Sequence, residues 1–136
     1  MLLYGHDKEL CLWAARKLGF DHPICARDPV TIGVARDGRI VAAAIFSRYD
    51  PPGIEVTFVT TTPRWASREN IRAILRYPFV QLSCKRVTAI TEECNATARA
   101  FLERLGFHQE GFHPDAFSSG AGISYGLLRA DAERWL

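Results

Sequence analysis

Arg64 and Arg68 stand four residues apart in "TFVTTTPRWASREN", residues 57 to 70, where an alternating run gives way to a helical one. A strand that runs into a helix exposes the N–H groups of the first helical turn, and these attract anions. Arginines at a helix start oppose the helix dipole, a local cost of roughly a few tenths of a kcal/mol. That cost makes sense if a phosphate is held there. The junction has no glycine, so the grip would rest on helix N–H groups and arginine side chains, and would weaken as salt rises. Upstream, Glu55 supplies a carboxylate that could accept a proton. Far downstream, Tyr125 supplies a phenol that could donate or orient one. Asn95 opens a later helix and brings an amide. By residue type alone Glu55 is also an ordinary half-exposed strand residue, and Tyr125 an ordinary strand aromatic.

The elements that must position these residues are legible. Leu10, Trp13, Ala14 and Leu18 recur at helical spacing over 6 to 18, and Gly19 stops that helix. Residues 19 to 30, with Pro23 and Pro29, read as a loop. Asp37-Gly38 lies between two apolar runs and predicts a hairpin with strands at about 31 to 36 and 39 to 48. "DPPG" at 50 to 53 breaks the pattern, and "IEVTFVTT" alternates as a third strand. Ser67 is a helix cap, followed by Ile71, Ile74 and Leu75 on one face, with a kink expected at Pro78. "RVTAIT", 86 to 91, is a short strand. "NATARAFLERLGF" is a helix with Asn95 as N-cap and Gly106 as left-handed terminator. Strands follow at 107 to 112 and 123 to 128, then a tail. The central β-α-β demands a parallel pair with a right-handed crossover, whereas the hairpin is antiparallel. The fold class is therefore α/β, in the sense of an α+β mixed sheet with helices on both faces, in one domain over 1–136.

Bulk properties narrow the classes. The chain has 136 residues, 48% hydrophobic and 24% charged, which is enough to bury a core without staples. No apolar run approaches the ~20 residues of a membrane span, and the opening residues are too short for a signal-peptide core. No membrane partner and a cytoplasmic location are expected. Cys11, Cys25, Cys84 and Cys94 contain no CxxC pair, so free thiols are expected. His108 and His113 lack a cysteine pair, so no metal is expected. Net charge is +2, yet residues 62 to 104 hold eight Arg or Lys against four Glu. Aromatics are not interleaved with this basic stripe, which argues against nucleic acid. Nothing in the sequence excludes a homodimer.

At "NATARAFLERLGFHQEG" the chain resembles the GNAT superfamily of acyl-CoA-dependent N-acetyltransferases. The family's last helix commonly reads N-x-x-A/S-x-x-φ-x-x-x-x-G-F, often followed by E-G. Asn95, Ala98, Phe101, Gly106, Phe107, Glu110 and Gly111 match it. The E-G ending is similar to the ribosomal-protein N-terminal (RimJ/RimL-like) branch. "CKRVTAITEECNATARAFLERLGF" and "YGLLRADAERWL" are similar to compact acetyltransferases often carried by phages. The resemblance implies a GNAT-like fold, acetyl-CoA as cofactor and an amine as acceptor. It places Val59, Thr60 and Thr61 at the strand end that polarises the thioester carbonyl. It puts Arg64, Trp65, Ala66, Ser67 and Arg68 at the pyrophosphate, and Asn95 and Phe101 along the pantetheine arm. Glu55 becomes the candidate base, and Tyr125 the candidate acid or orienting group. Two departures stand out. "RWASRE" replaces the glycine-rich Q/R-x-x-G-x-G/A loop, and Leu102 stands where many members carry a Tyr that protonates the leaving thiol.

The implied reaction is direct attack of a neutral amine on the acetyl thioester. An α-amine near pKa 7.7–8.0 is about a tenth neutral at pH 7, whereas a lysine near 10.4 is under ~0.1% neutral. A protein N-terminus or a small amine therefore asks less of a base. Two other readings stay open: a GNAT-fold protein that has lost catalysis and binds a partner, and a nucleic-acid-associated basic module. Acceptor choice should lie in the loops at 19 to 30, 49 to 53 and 113 to 122.

Overall fold

A computed structural model describes residues 1–20 and 29–136. The expected loop at 19 to 30 lies mostly outside the described residues. The elements are β1 (Leu2–Tyr4), α1 (Asp7–Lys17), β2 (Val30–Arg36), β3 (Arg39–Asp50), β4 (Gly53–Thr60), α2 (Arg68–Arg76), β5 (Arg86–Glu92), α3 (Ala96–Leu105), β6 (His108–Phe117), β7 (Gly120–Leu128) and α4 (Arg129–Ala132). One seven-stranded sheet runs β1-β2-β3-β4-β5-β7-β6. Among the described residues only β4 and β5 pair in parallel. The mixed sheet expected from the sequence is the one observed.

Local chemistry explains the connections. Asp37 (φ 53°) and Gly38 (φ 75°) both take the positive φ that a two-residue hairpin turn requires. Ser67 Oγ accepts from the N–H of Asn70 at 3.2 Å and starts α2. The α-helix gives out at Arg76 and a π-helical turn, Tyr77–Gln81, takes over. Pro78 has no N–H to donate to the α-helical ladder, so the expected kink is realised as this wider turn. Gly106 (φ 111°) ends α3 in the left-handed region, and the N–H of Phe107 reaches back to Leu102 O at 3.1 Å.

Ile32, Phe46, Val56, Val87, Tyr125 and their neighbours form one face of the sheet. Ile71, Ile74 and Leu75 of α2 and Leu102 and Leu105 of α3 cover that face. The opposite face is covered over β2 and β3 by α1, where Ala14 meets Ile45 and Val59. Helices thus flank both faces.

Three expectations need correction. β1 is a three-residue edge strand, too short for periodicity to reveal; the Met1 and Ala35 backbones exchange hydrogen bonds at 2.8 Å. β6 extends to Phe117, and 113 to 122 is the end of a hairpin rather than a loop. The ladder slips between His113 and Phe117, and Asp115 takes φ 55°, so the Pro114–Asp115 punctuation is absorbed as an irregularity. Finally, Cys11 is disulfide-bonded, against the expectation of free thiols, while Cys84 and Cys94 are free.

A buried polar contact fastens α1 to the sheet. Thr31 is 2% exposed, and both its N–H (2.9 Å) and its hydroxyl (2.5 Å) donate to Asp7 Oδ1 in the first turn of α1. Asp7→Ala strands two donors, and each unsatisfied buried group costs about 1–3 kcal/mol. A fall in unfolding free energy of that order is expected in urea titration. A change below about 0.5 kcal/mol, the usual range for surface substitutions, would show that this contact does not fasten the helix.

Candidate active site

The β4–β5 pairing is brief. Only Gly53–Glu55 of β4 pairs with Arg86–Thr88 of β5. Beyond Glu55 the two strands part, although β4 stays paired with β3 as far as Thr60 and β5 with β7 as far as Glu92. Successive residues of a strand point their N–H and C=O groups to alternate sides. The N–H of Thr61 is bound to Val41 O on β3 at 2.9 Å. By that alternation Val59 and Thr57 face β3, and the backbones of Phe58 and Thr60 face the gap.

The gap leads into a cleft of about 640 Å³ between the end of β4 and α3. Phe58, Trp65 and Phe101 line it and touch one another, with ring centroids 5.4 to 6.0 Å apart. Trp65 is buried at 3% exposure. Its carbonyl accepts from Asn70 Nδ2 at 2.7 Å, which ties the 3₁₀ turn Pro63–Trp65 to α2. Lys17, Leu18 and Val59 line the cleft towards the α1 face, so it passes from one side of the sheet to the other. Asn95 caps α3 by accepting from the N–H of Ala98 at 3.0 Å and also lines the cleft. Its Nδ2 is the part of the side chain this cap does not use.

Of the remaining sequence candidates, Thr60, Thr61 and Ala66 line the cleft, whereas Ser67 serves as the cap of α2. Glu55 is the last residue of β4 paired with β5, partly exposed, 3.5 Å from Arg48 Nε. Tyr125 is fully buried, and its hydroxyl oxygen accepts from Arg99 Nε at 3.0 Å. That hydrogen bond raises the pKa of the Arg99 guanidinium. Arg99 also donates to Glu93 O at 3.1 Å, so Tyr125 belongs to a polar tie beneath α3 rather than to the cleft wall.

The two arginines of the junction separate. Arg64 sits on the Pro63–Trp65 turn and lines a second cavity beside the cleft. Arg68 turns to the C-terminal segment, where it donates to Arg134 O and lies 5.4 Å from the Trp135 ring centroid. Cys94 is exposed beside Asn95, while Cys84 is a buried core residue whose thiol pKa is pushed up by that burial. The described residues contain no cluster of His, Cys, Asp and Glu able to hold a metal, and no described helix is long and apolar enough to cross a membrane. Two features were out of reach of the sequence reading. The gap-facing Phe58 backbone needs the hydrogen-bond register to be seen, and Arg99 needs the α3–β7 packing.

β4 thus parts from its parallel neighbour beside a cleft that reaches both faces of the sheet. The acetyltransferase (GNAT) family model matches residues 5–107, so this chain belongs to the acetyltransferase (GNAT) family. No curated protein matches the sequence. Among solved structures, a chimera of spermidine N-acetyltransferase SpeG from Vibrio cholerae and hSSAT aligns over 98% of this chain and 99% of that one, with TM-score 0.75 and 14% identity. A GNAT-family acetyltransferase from Bacillus anthracis aligns over 72% and 65%, with TM-score 0.59 and 20% identity. A Vibrio cholerae protein inferred to be a ribosomal-protein-serine acetyltransferase aligns over 74% and 64%, with TM-score 0.63 and 17% identity. This chain spans just under two thirds of the length of two other solved acetyltransferases, 64% and 66%.

The double placement of Asn95 can be taken apart. Asn95→Ala removes the cap and should cost roughly 0.5–2 kcal/mol. Asn95→Asp keeps a capping oxygen and should leave stability within ~0.5 kcal/mol of the parent. Urea unfolding midpoints of the pair check this, and equal losses would show that the cap is not what the residue contributes.

Proposed function

We propose that the protein transfers an acetyl group from acetyl-CoA directly to a primary amine, either a protein N-terminus or a small-molecule amine. The observation that carries this reading is the parting of β4 from β5 into a cleft open to both faces of the sheet. An extended thioester fits the cleft, with its apolar arm along Phe58, Trp65 and Phe101 and its amide groups against the unpaired edge of β4. When bound, it supplies an activated acetyl carbonyl. The N–H groups of Phe58 and Thr60 face the gap and are the donors available to polarise that carbonyl, and a fixed donor gains strength where water is excluded. Asn95 Nδ2 is a further donor to the arm.

The amine enters from the face opposite the aromatic floor, the face to which Glu55 points. The amine nitrogen bonds to the carbonyl carbon, the C–S bond breaks, and the thiolate departs. Glu55 takes the proton that the amine gives up. An ordinary thiol near pKa 8.5 is already a fair leaving group, so Leu102 in place of an acid is tolerable. Tyr125 works as a positioning residue, holding Arg99 and through it the start of α3.

The pyrophosphate falls to the Pro63–Trp65 turn and Arg64. Arg68 is committed to Arg134 and Trp135, so its contribution is to stability.

Two measurements test this reading. Release of free CoA thiol, followed with a chromogenic disulfide, should run at least ~10-fold faster with a free peptide N-terminus than with an internal lysine in a matched peptide at pH 7. The reverse ranking would remove the α-amine preference, and no thiol release with any amine would leave a binding protein. Separately, Arg64→Ala should raise the acetyl-CoA Kd by ~10-fold, the scale of one charge-assisted hydrogen bond, while Arg68→Ala changes it less than ~2-fold and lowers the melting temperature. An equal rise in Kd for both would return Arg68 to the phosphate site.

A further inference from the structure

A second cavity, open and about 610 Å³, lies beside the cleft at the end of the β2–β3 hairpin. It is lined by Arg36, Asp37, Arg39, Val41, Thr62 and Arg64. Thr62 also lines the cleft, so the two spaces share a wall. Its Oγ1 accepts from the N–H of Arg64 at 3.3 Å and fixes the turn between them.

The charge arrangement here is unfavourable as it stands. Arg36 and Arg39 are direct cross-strand partners. Like charges directly opposite on a ladder destabilise it. Arg64 brings a third guanidinium from another element. None of the three forms an ion pair with a described residue, although Arg48, Arg86 and Arg129 all do so. Asp37, in the turn, offsets one of the three charges and leaves the cavity at about +2. A phosphate monoester carries about −1.5 to −2 at pH 7, whereas each phosphate of a pyrophosphate diester carries about −1. The cavity therefore matches a monoester.

We propose that Arg36 and Arg39, with Arg64, hold the 3′-phosphate of the CoA nucleotide. The inference rests on the acetyl-CoA reading above and deepens it. The turn at Pro63–Trp65 takes the pyrophosphate, and the hairpin tip takes the terminal phosphate. An anion grip lost with the absent glycines is thus relocated to side chains of a different element. Direct guanidinium–phosphate contact makes the grip dependent on ionic strength, because the site is open to solvent.

Calorimetric titration with acetyl-CoA and with 3′-dephospho-acetyl-CoA tests it. The parent protein should bind acetyl-CoA at least ~10-fold more tightly, as expected for one or two charge-assisted contacts. Arg36→Ala/Arg39→Ala should abolish that preference and leave the affinity for the dephospho form unchanged. Arg36→Lys/Arg39→Lys should retain most of the preference. Both positions are exposed strand ends, and melting curves check that the variants fold. Equal affinity of the parent for the two ligands overturns the inference and leaves acetyl transfer standing. So does an equal loss for both ligands in the alanine variant. If the parent shows no preference but inorganic phosphate stabilises it through Arg36 and Arg39, the site serves a separate phosphate ligand and the CoA assignment is overturned. No binding of either thioester overturns the proposed function, and this inference with it.

Discussion

A strand inside a sheet that loses its neighbour must find other partners for its backbone. β4 does so halfway along, after only three paired positions with β5. Buried and unpartnered, each N–H or C=O would cost about 1–3 kcal/mol, so the gap can persist only where water or a ligand reaches it. The cleft satisfies that requirement. It also needs walls that keep the strands from closing. Phe58 projects from the unpaired stretch, Phe101 arrives from α3, and Trp65 arrives from the turn after β4, each in contact with the other two. Three rings from three elements prop the opening, and the crossover helices α2 and α3 hold the rings in place. The separation of strands is thus a packing property of the core, and the site inherits its rigidity.

Polar ties repeat this logic at longer range. Asn70 Nδ2 holds the Trp65 carbonyl, Asn95 caps α3, and Arg99 joins α3 to Tyr125 on β7. Arg68 and Arg76 of α2 both donate to carbonyls of the C-terminal segment, at Arg134 and Leu136. Trp135 Nε1 donates to Leu105 O at 2.8 Å. The C-terminal turn therefore bridges the start of α2 to the end of α3, and α3 forms one wall of the cleft.

The sequence carried the elements well where a local rule decides them. The Asp37–Gly38 turn, the Ser67 and Asn95 caps and the Gly106 terminator each depend on one or two residues, and all four stand where they were expected. It carried β1 and the extent of β6 poorly. A three-residue edge strand has no period, and a ladder irregularity around Asp115 can hide loop-like residues inside a hairpin. The cleft itself was legible only as a family resemblance. Which backbone groups face the gap depends on hydrogen-bond register, and no alternation of side chains reveals that.

The arginines show where local reading stops being informative. Arg64, Arg68, Arg72 and Arg76 share a four-residue spacing, which in a helix means one stripe. A stripe faces a single direction, and here Arg68 and Arg76 meet the carbonyls of the C-terminal segment. Regular spacing thus marks attachment of one element to another. A phosphate, by contrast, is a compact group that needs donors converging from several directions. The arginines of the second cavity come from different elements distant in sequence: Arg36 and Arg39 from the hairpin, Arg64 from the turn. No periodicity connects them. Chain topology brings them together, because β3 pairs with β4 and carries its hairpin tip to the point where β4 ends. The same antiparallel register that leaves Phe58 and Thr60 facing the gap also sets the hairpin arginines beside the turn. One strand pairing therefore positions both the gap-facing backbone of β4 and the cationic hairpin tip.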